Sequence, residues 1–259
     1  FSIKVNILSS QTYFPADPYF LLQYEKYQFQ GKIPFQANLF RPVYFNNNDS
    51  TTFSFGIRIE SYRNDNAPNQ ENMDVRYFSK GMSFFNSFNF AMNSPYFLFM
   101  AEPYIKNDYF LSSVNEINRP SVFSVLNDRN INYSHGNFRN LLAFIHYKGL
   151  GFGWHQGNKW WGPGFHTSLQ MTNNTYPLPT QIIGTMREIR IGRLGLYGLY
   201  TFSNLNDKKG VNAKYFTSIL GRISWYGSII ASAGFSRNYL SGGELSNGYI
   251  WTENDAKNI

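Results

Sequence analysis

The sequence predicts an all-β chain, and within that class an antiparallel transmembrane β-barrel of the outer-membrane kind. Three observations carry the prediction. Apolar residues alternate with small or polar ones over stretches of about ten residues, the period of a strand with two unlike faces. Clusters of Asn, Asp, Gly and Ser, which tolerate left-handed backbone, punctuate those stretches. The 259 residues include thirty Asn and no Cys, and are 19% aromatic but only 15% charged, against roughly 25% charged for a soluble domain. A disordered chain would show the reverse balance, and a disulfide scaffold or Cys-based zinc site needs cysteine. A helical membrane protein needs apolar runs of about 20 residues, whereas the longest here are stretches such as Tyr96–Ala101 and Leu141–Ile145.

The elements follow in chain order. Phe20–Gln30 and Pro34–Phe45 are candidate strands. Thr51–Arg63 is the cleanest, with Phe53, Phe55, Ile57 and Ile59 alternating with Thr52, Ser54, Gly56, Arg58 and Glu60. In Met82–Met92, Met82, Phe84, Phe88, Phe90 and Met92 alternate with Ser83, Ser87, Asn89 and Ala91. Pro95–Ile105 is a further candidate. Phe138–Trp154 and Met186–Phe202 are longer, Gly-rich and less regular. Tyr215–Tyr226 and Tyr249–Thr252 are candidates, and Gly227–Ser236 sets Ile229, Ala231, Ala233 and Phe235 against Ser228, Ser232, Gly234 and Ser236. Asn46–Ser50, Asn64–Asn72, Asn204–Gly210 and Leu240–Gly248 read as turns. No segment offers an amphipathic helix of three turns.

Two all-β architectures fit such a list. A soluble sandwich puts aliphatics inside and charges outside; a membrane barrel is apolar outside and polar inside, with aromatic girdles. The polar faces here are Ser, Gly, Asn and Thr rather than Lys and Glu. Tyr and Phe cluster near strand ends, at Tyr13–Phe14, Tyr19–Phe20, Tyr44–Phe45 and Tyr109–Phe110. Both facts favour the barrel. At roughly 22–26 residues per strand and loop, the chain supplies about ten to twelve strands in one domain spanning residues 1–259. It opens on Phe1 and closes on the polar stretch Glu253–Ile259, and is read as a mature or truncated product, incomplete at one or both ends.

Gly149–Pro179 is the most informative segment. Gly162-Pro163-Gly164 forces a reversal directly after Trp160-Trp161, and Thr172-Asn173-Asn174-Thr175 follows, closed by Pro177 and Pro179. Proline fixes φ and glycine permits positive φ, so the turn is stiff. Two readings of it compete. Indole faces stack on sugar rings while amides bond their hydroxyls, which suits carbohydrate. Alternatively, Trp160 and Trp161 anchor the chain at a membrane interface and the Asn pair is only a turn, the commoner use of Trp in barrels.

Asn158-Lys159-Trp160-Trp161-Gly162-Pro163-Gly164, then Ser168-Leu169, Asn173-Asn174, Pro177 and Pro179, resembles the signature of the capsule assembly protein Wzi family. The likeness covers about twenty residues; Gly192–Tyr200 is similar in character. His166 and Thr167 stand where that family often has Asp-Gly, and Thr175-Tyr176 replaces a small or basic pair. The resemblance implies an outer-membrane barrel of eighteen strands that acts as a surface lectin and holds capsular polysaccharide without catalysis. This chain, too short for eighteen strands, would then be part of a larger barrel. From the motif, its neighbouring His166 and the nearby charge, Asn158, Lys159, Trp160, Trp161, His166, Asn173, Asn174, Arg187 and Arg190 are the expected carbohydrate-binding set, and Gly162, Pro163, Gly164, Pro177 and Pro179 hold the turn.

Charge is concentrated in the same region. Residues 129–206 carry seven basic side chains (Arg129, Arg139, Lys148, Lys159, Arg187, Arg190, Arg193) and one acid, Glu188, so they hold +6 of the net +7. A basic, amide-rich surface beside exposed indoles suits an acidic polysaccharide; contact with anionic lipid headgroups or lipopolysaccharide phosphates suits the same arginines equally well. On a strand, Glu188, Arg190 and Gly192 share one face, expected to be lumenal because Ile189 and Ile191 on the other suit lipid. Arg187 and Arg193 would then snorkel or sit at the rims.

Enzymatic readings are weak. A glycosidase of the usual kind needs two carboxylates and Glu188 stands alone in the segment. His166 and Ser168, two apart on a strand, lie about 6–7 Å from one another, beyond direct proton transfer. His135, His146, His155 and His166 have no metal-ligand spacing, and scattered basic residues do not suit nucleic acid. No catalytic residue, metal or cofactor is expected. The expected partners are an acidic capsular or surface polysaccharide, outer-membrane lipid with lipopolysaccharide, and other envelope chains. The expected location is the outer membrane of a Gram-negative bacterium. A porin or a structural envelope subunit, with the motif serving only to staple the fold, is the alternative.

Overall fold

A computed structural model describes residues 13–14, 26–32, 43–44, 51–64, 73–76, 81–109, 133–161, 170–173, 176–205 and 214–242. Strands β1 (Tyr13–Phe14) and β2 (Val43–Tyr44) pair as a small antiparallel ladder. The rest is one ten-stranded antiparallel sheet: β3 (Thr52–Asn64), β4 (Gly81–Asn93), β5 (Phe97–Tyr109), β6 (Tyr133–Tyr147), β7 (Leu150–Gln156), β8 (Pro179–Thr185), β9 (Ile189–Ile191), β10 (Leu194–Asn204), β11 (Tyr215–Tyr226) and β12 (Ile230–Ser241). Each strand pairs with its neighbour in sequence, except that β8 and β9 both pair with β10. Among the described residues β3 and β12 are the sheet edges. No helix of the described residues is long and apolar enough to cross a membrane.

Several expectations needed correction. Residues 26–29, expected in a strand, form one helical turn. Of Pro34–Phe45 only Val43–Tyr44 is described, and Tyr249–Thr252 lies outside the described residues. The two long irregular stretches are hairpins. Phe138–Trp154 reverses at Lys148-Gly149, where both residues have positive φ (51° and 91°), the backbone of a two-residue hairpin turn matched to strand twist. Met186–Phe202 reverses at residues 192–193, with Gly192 at φ 60°. Gly227–Ser236 straddles a turn, and its strand starts at Ile230.

The expected alternation is present and sets the polarity of the sheet. Phe53, Phe55, Ile57 and Ile59 all project from β3 into the surroundings. The outer row runs on at matched register through Phe97, Ile145, Phe152, Ile183 and Tyr200. The opposite face is largely buried from β4 to β11, apart from the short β9, while β12 is exposed over most of its length. Nearer the short hairpins lies an apolar cluster that includes Leu98, Met100, Leu142, Phe144, Ile182 and Leu220. Nearer the long connections the buried polar side chains Glu102, Arg139, Asn140, His155, Thr180 and Ser203 stand beside two smaller apolar groups, Phe85 with Tyr104 and Phe202 with Tyr215. A soluble sandwich carries charged rather than large apolar side chains on its outer face.

The connections are equally one-sided. β4–β5, β6–β7, β9–β10 and β11–β12 are joined by turns of two or three residues at one end of the sheet. Residues 65–80, 110–132, 157–178 and 205–214 make the long connections, all at the other end.

Two irregularities aim charges inward. The β5–β6 register shifts between Glu102 and Pro103, where proline has no N–H to give the ladder. The resulting bulge buries both Arg139 and Asn140, consecutive residues that regular alternation would place on opposite faces. Between β8 and β9 the ladder to β10 is interrupted. The Thr185 hydroxyl replaces it, donating to the Gly198 carbonyl (3.0 Å) and accepting from the Gly198 N–H (2.8 Å), and residues 186–188 loop in.

Candidate functional site

The segment with the sequence signature is the β7–β8 connection. It does not hold its two tryptophan rings out on a surface. The chain leaves β7 at Gln156 and turns into the buried face of the sheet. Trp160 and Trp161 are 0% and 1% exposed. Trp161 packs within the apolar cluster, with Met171 against it, and its amide donates to the Met171 carbonyl (3.3 Å). The expectation of exposed indoles therefore gives way to a staple that fixes both limbs of the connection. The sequence supplied the Trp pair but not its direction, because tryptophan serves a membrane belt or a core with equal ease.

Asn158 and Lys159 are also buried. Lys159 Nζ donates to Thr180 Oγ1 (3.1 Å), which also accepts from Ser203 Oγ (3.0 Å) and donates to the Leu178 carbonyl (2.8 Å). Among the described residues no carboxylate pairs with this amine, and burial pushes it from an ordinary 10.5 down to about 7. His155, beside it, is buried as well. Asn173 is fully buried, and its carbonyl accepts the Asp74 amide (2.7 Å). Pro177 is buried and Pro179 opens β8. Gly162, Pro163, Gly164, His166 and Asn174 lie outside the described residues.

That Asp74 contact brings a second long connection into the site. Residues 73–76 lie between β3 and β4, with Asp74 at φ 52°. Arg139 donates from Nε and Nη2 to Asp74 Oδ2 (3.0 and 2.8 Å) and from Nη1 to Glu102 Oε1 (2.9 Å). Glu102 accepts further bonds from Ser87 Oγ (3.1 Å) and Asn140 Nδ2 (2.9 Å). Arg76 reaches Glu60 (3.2 Å), and Val75 packs on Phe85 and Tyr104. Every carboxylate here meets a guanidinium, which is what makes burial of such charges tolerable. The sequence reading missed Asp74, Glu102 and Arg76; only the bulge could have announced the triad, through Pro103.

Arg187 and Arg190, expected beside the motif, stand at the short-turn end. Glu188 points inward as expected, its carboxylate bonded by Tyr226 (2.6 Å), Ser224 (2.8 Å), Arg222 (3.1 Å) and Arg190 (3.2 Å). It sits where Gly195 has no side chain, since a Cβ there would lie 2.4 Å from its carboxyl carbon. Arg190 lies over the Tyr226 ring at 3.7 Å. Arg129 lies outside the described residues, and the rest of the basic excess divides three ways. Arg139 and Arg190 are consumed by carboxylates, Lys159 is buried against the Thr180 hydroxyl, and Lys148, Arg187 and Arg193 remain at the short turns.

Among the described residues of the connection one aromatic is exposed: Tyr176, 46% accessible, between Asn173 and Pro177. With the amide-rich stretch around it, it is the described group of this segment best placed to meet a ligand from outside.

Comparison with protein-family models, with curated proteins and with solved structures returns no match to this chain.

Proposed function

We propose that the chain forms the wall of an outer-membrane β-barrel with a filled interior, whose long connections hold surface polysaccharide non-covalently. The observation that carries the membrane part is the inverted polarity: large apolar side chains cover the exposed face while Glu102, Arg139 and Lys159 are buried on the other. Water would penalise that arrangement, and lipid favours it. Short turns at one end and long connections at the other match the periplasmic and extracellular ends of bacterial barrels.

The polysaccharide part rests on the resemblance of Asn158–Pro179 to the capsule assembly family. Trp160, Trp161 and Asn173 act in this reading by shaping the connection, and Tyr176 supplies the ring on which a sugar stacks. The test is binding of a polyanionic polysaccharide by the purified barrel in detergent at low salt. The parent binds, Tyr176→Ala binds at least fivefold more weakly while unfolding like the parent, and Trp161→Ala loses about 3–5 kcal/mol of stability. Absence of affinity for any such polymer would favour the second reading, a structural envelope subunit. The full burial of both indoles supports that alternative, since a staple needs no ligand.

A further inference from the structure

Apart from the buried Lys159, the three described cations of residues 129–206 that have no carboxylate partner are not scattered. Following the sheet across its short-turn end, the β4–β5 turn presents Tyr96, stacked on Tyr147 at 6.3 Å with rings 7° from parallel. The next turn carries Lys148, its ammonium 5.4 Å from the Tyr147 ring. Arg187 follows, its Nε donating to the Lys148 carbonyl (3.1 Å) and its chain filling the space above Gly149. Arg193 sits in the β9–β10 turn, its carbonyl accepting the Tyr226 amide (2.8 Å). Trp225, half exposed, closes the row. The acid of this end, Glu188, is 3% exposed and fully engaged by Arg190, Arg222, Ser224 and Tyr226. Among the described residues, Lys148, Arg187 and Arg193 have no carboxylate within ion-pair distance.

From this row of ring, cation and ring we infer that the short-turn end is a docking collar for anionic phospholipid headgroups of the inner leaflet. The inference rests on the membrane reading above. Amphipathic rings settle at the headgroup level, and cations held at the same height meet the phosphates, with the exposed outer-row residues Ile145 and Phe152 placed just above for the acyl chains. A polysaccharide outside the cell would meet the other end. The two arginines that the sequence placed with the sugar site therefore belong to different work: Arg190 pins Glu188, and Arg187 faces lipid.

The test is lipid selectivity in vesicles of neutral phosphatidylcholine carrying the inserted protein, read by electron spin resonance of spin-labelled lipids. Phosphatidylglycerol is expected to be selected over phosphatidylcholine by about fivefold at low salt, with the preference falling at high salt. Lys148→Gln/Arg193→Gln should bring the ratio close to one. Adding Arg187→Gln should abolish what remains; because Arg187 also packs on Gly149, the double variant keeps the test independent of folding. Unchanged selectivity in the double variant, or none in the parent, overturns the collar. Stronger selection of spin-labelled lipid A than of phosphatidylglycerol also overturns it, by moving the site to the outer leaflet. A protein that immobilises no lipid of either kind has not inserted, and that outcome removes the membrane reading itself.

Discussion

Lys159 shows how far a single residue departs from its usual chemistry. Its amine is buried against the Thr180 hydroxyl rather than a carboxylate, and burial lowers it from 10.5 to about 7. Between those two values the unfolded chain holds one proton more than the folded one, so stability contributed at this site rises with pH from about 7 to about 10. Below about 7 both states are protonated and the full cost of the buried charge is present. Lys159→Met is expected to raise stability by a few kcal/mol at pH 6 and to flatten the slope above it. Denaturant unfolding across that range measures both, and a variant as pH-dependent as the parent would remove the amine as the cause. In the sequence Lys159 looked like a surface cation beside an aromatic turn. Nothing local distinguishes the two, since its partner Thr180 lies 21 positions away.

At the scale of elements, the hairpins and the bulge explain why two stretches looked irregular. Lys148-Gly149 breaks the alternation of Phe138–Trp154, and the extra residue at Arg139 shifts its phase. Along β7 the inner-face glycines let the backbone of β6 approach closely: a Cβ on Gly153 would lie 2.1 Å from the Ala143 carbonyl oxygen. Gly56 on β3 has only Asn89 Cβ nearby, at 3.8 Å. Gly153→Ala is therefore expected to cost about 1–3 kcal/mol or more, whereas Gly56→Ala is neutral or stabilising by about 0.5–1 kcal/mol. Midpoints of urea unfolding for the pair decide it. Equal effects would mean that the strands do not approach as described.

For the whole molecule the decisive quantity is the solvent of the exposed face. Ile183 lies in the middle of the outer row, between Phe152 and Tyr200. If that face meets lipid, Ile183→Arg costs about 2–4 kcal/mol; an exposed position in water would change by no more than about 0.5 kcal/mol. Unfolding of the vesicle-reconstituted protein separates the two. A null effect would argue that the face meets water rather than lipid.

The sequence by itself determined the all-β class, most of the sheet strands and the apolar face of each, because strand alternation is written in neighbouring residues and reports the local solvent directly. The reading also placed Glu188 inward and the isoleucines beside it outward. Only the tertiary structure decided which polar groups meet inside. Asp74 reaches Arg139 across 65 positions and Asn173 across 99, and Trp160 and Trp161 turn inward because the connection folds back between strands. Those contacts depend on where long connections return, which no short-range pattern encodes. The same folding back separates Lys159 from Arg187, so a basic segment that is continuous in sequence is split between the interior and the far end of the sheet.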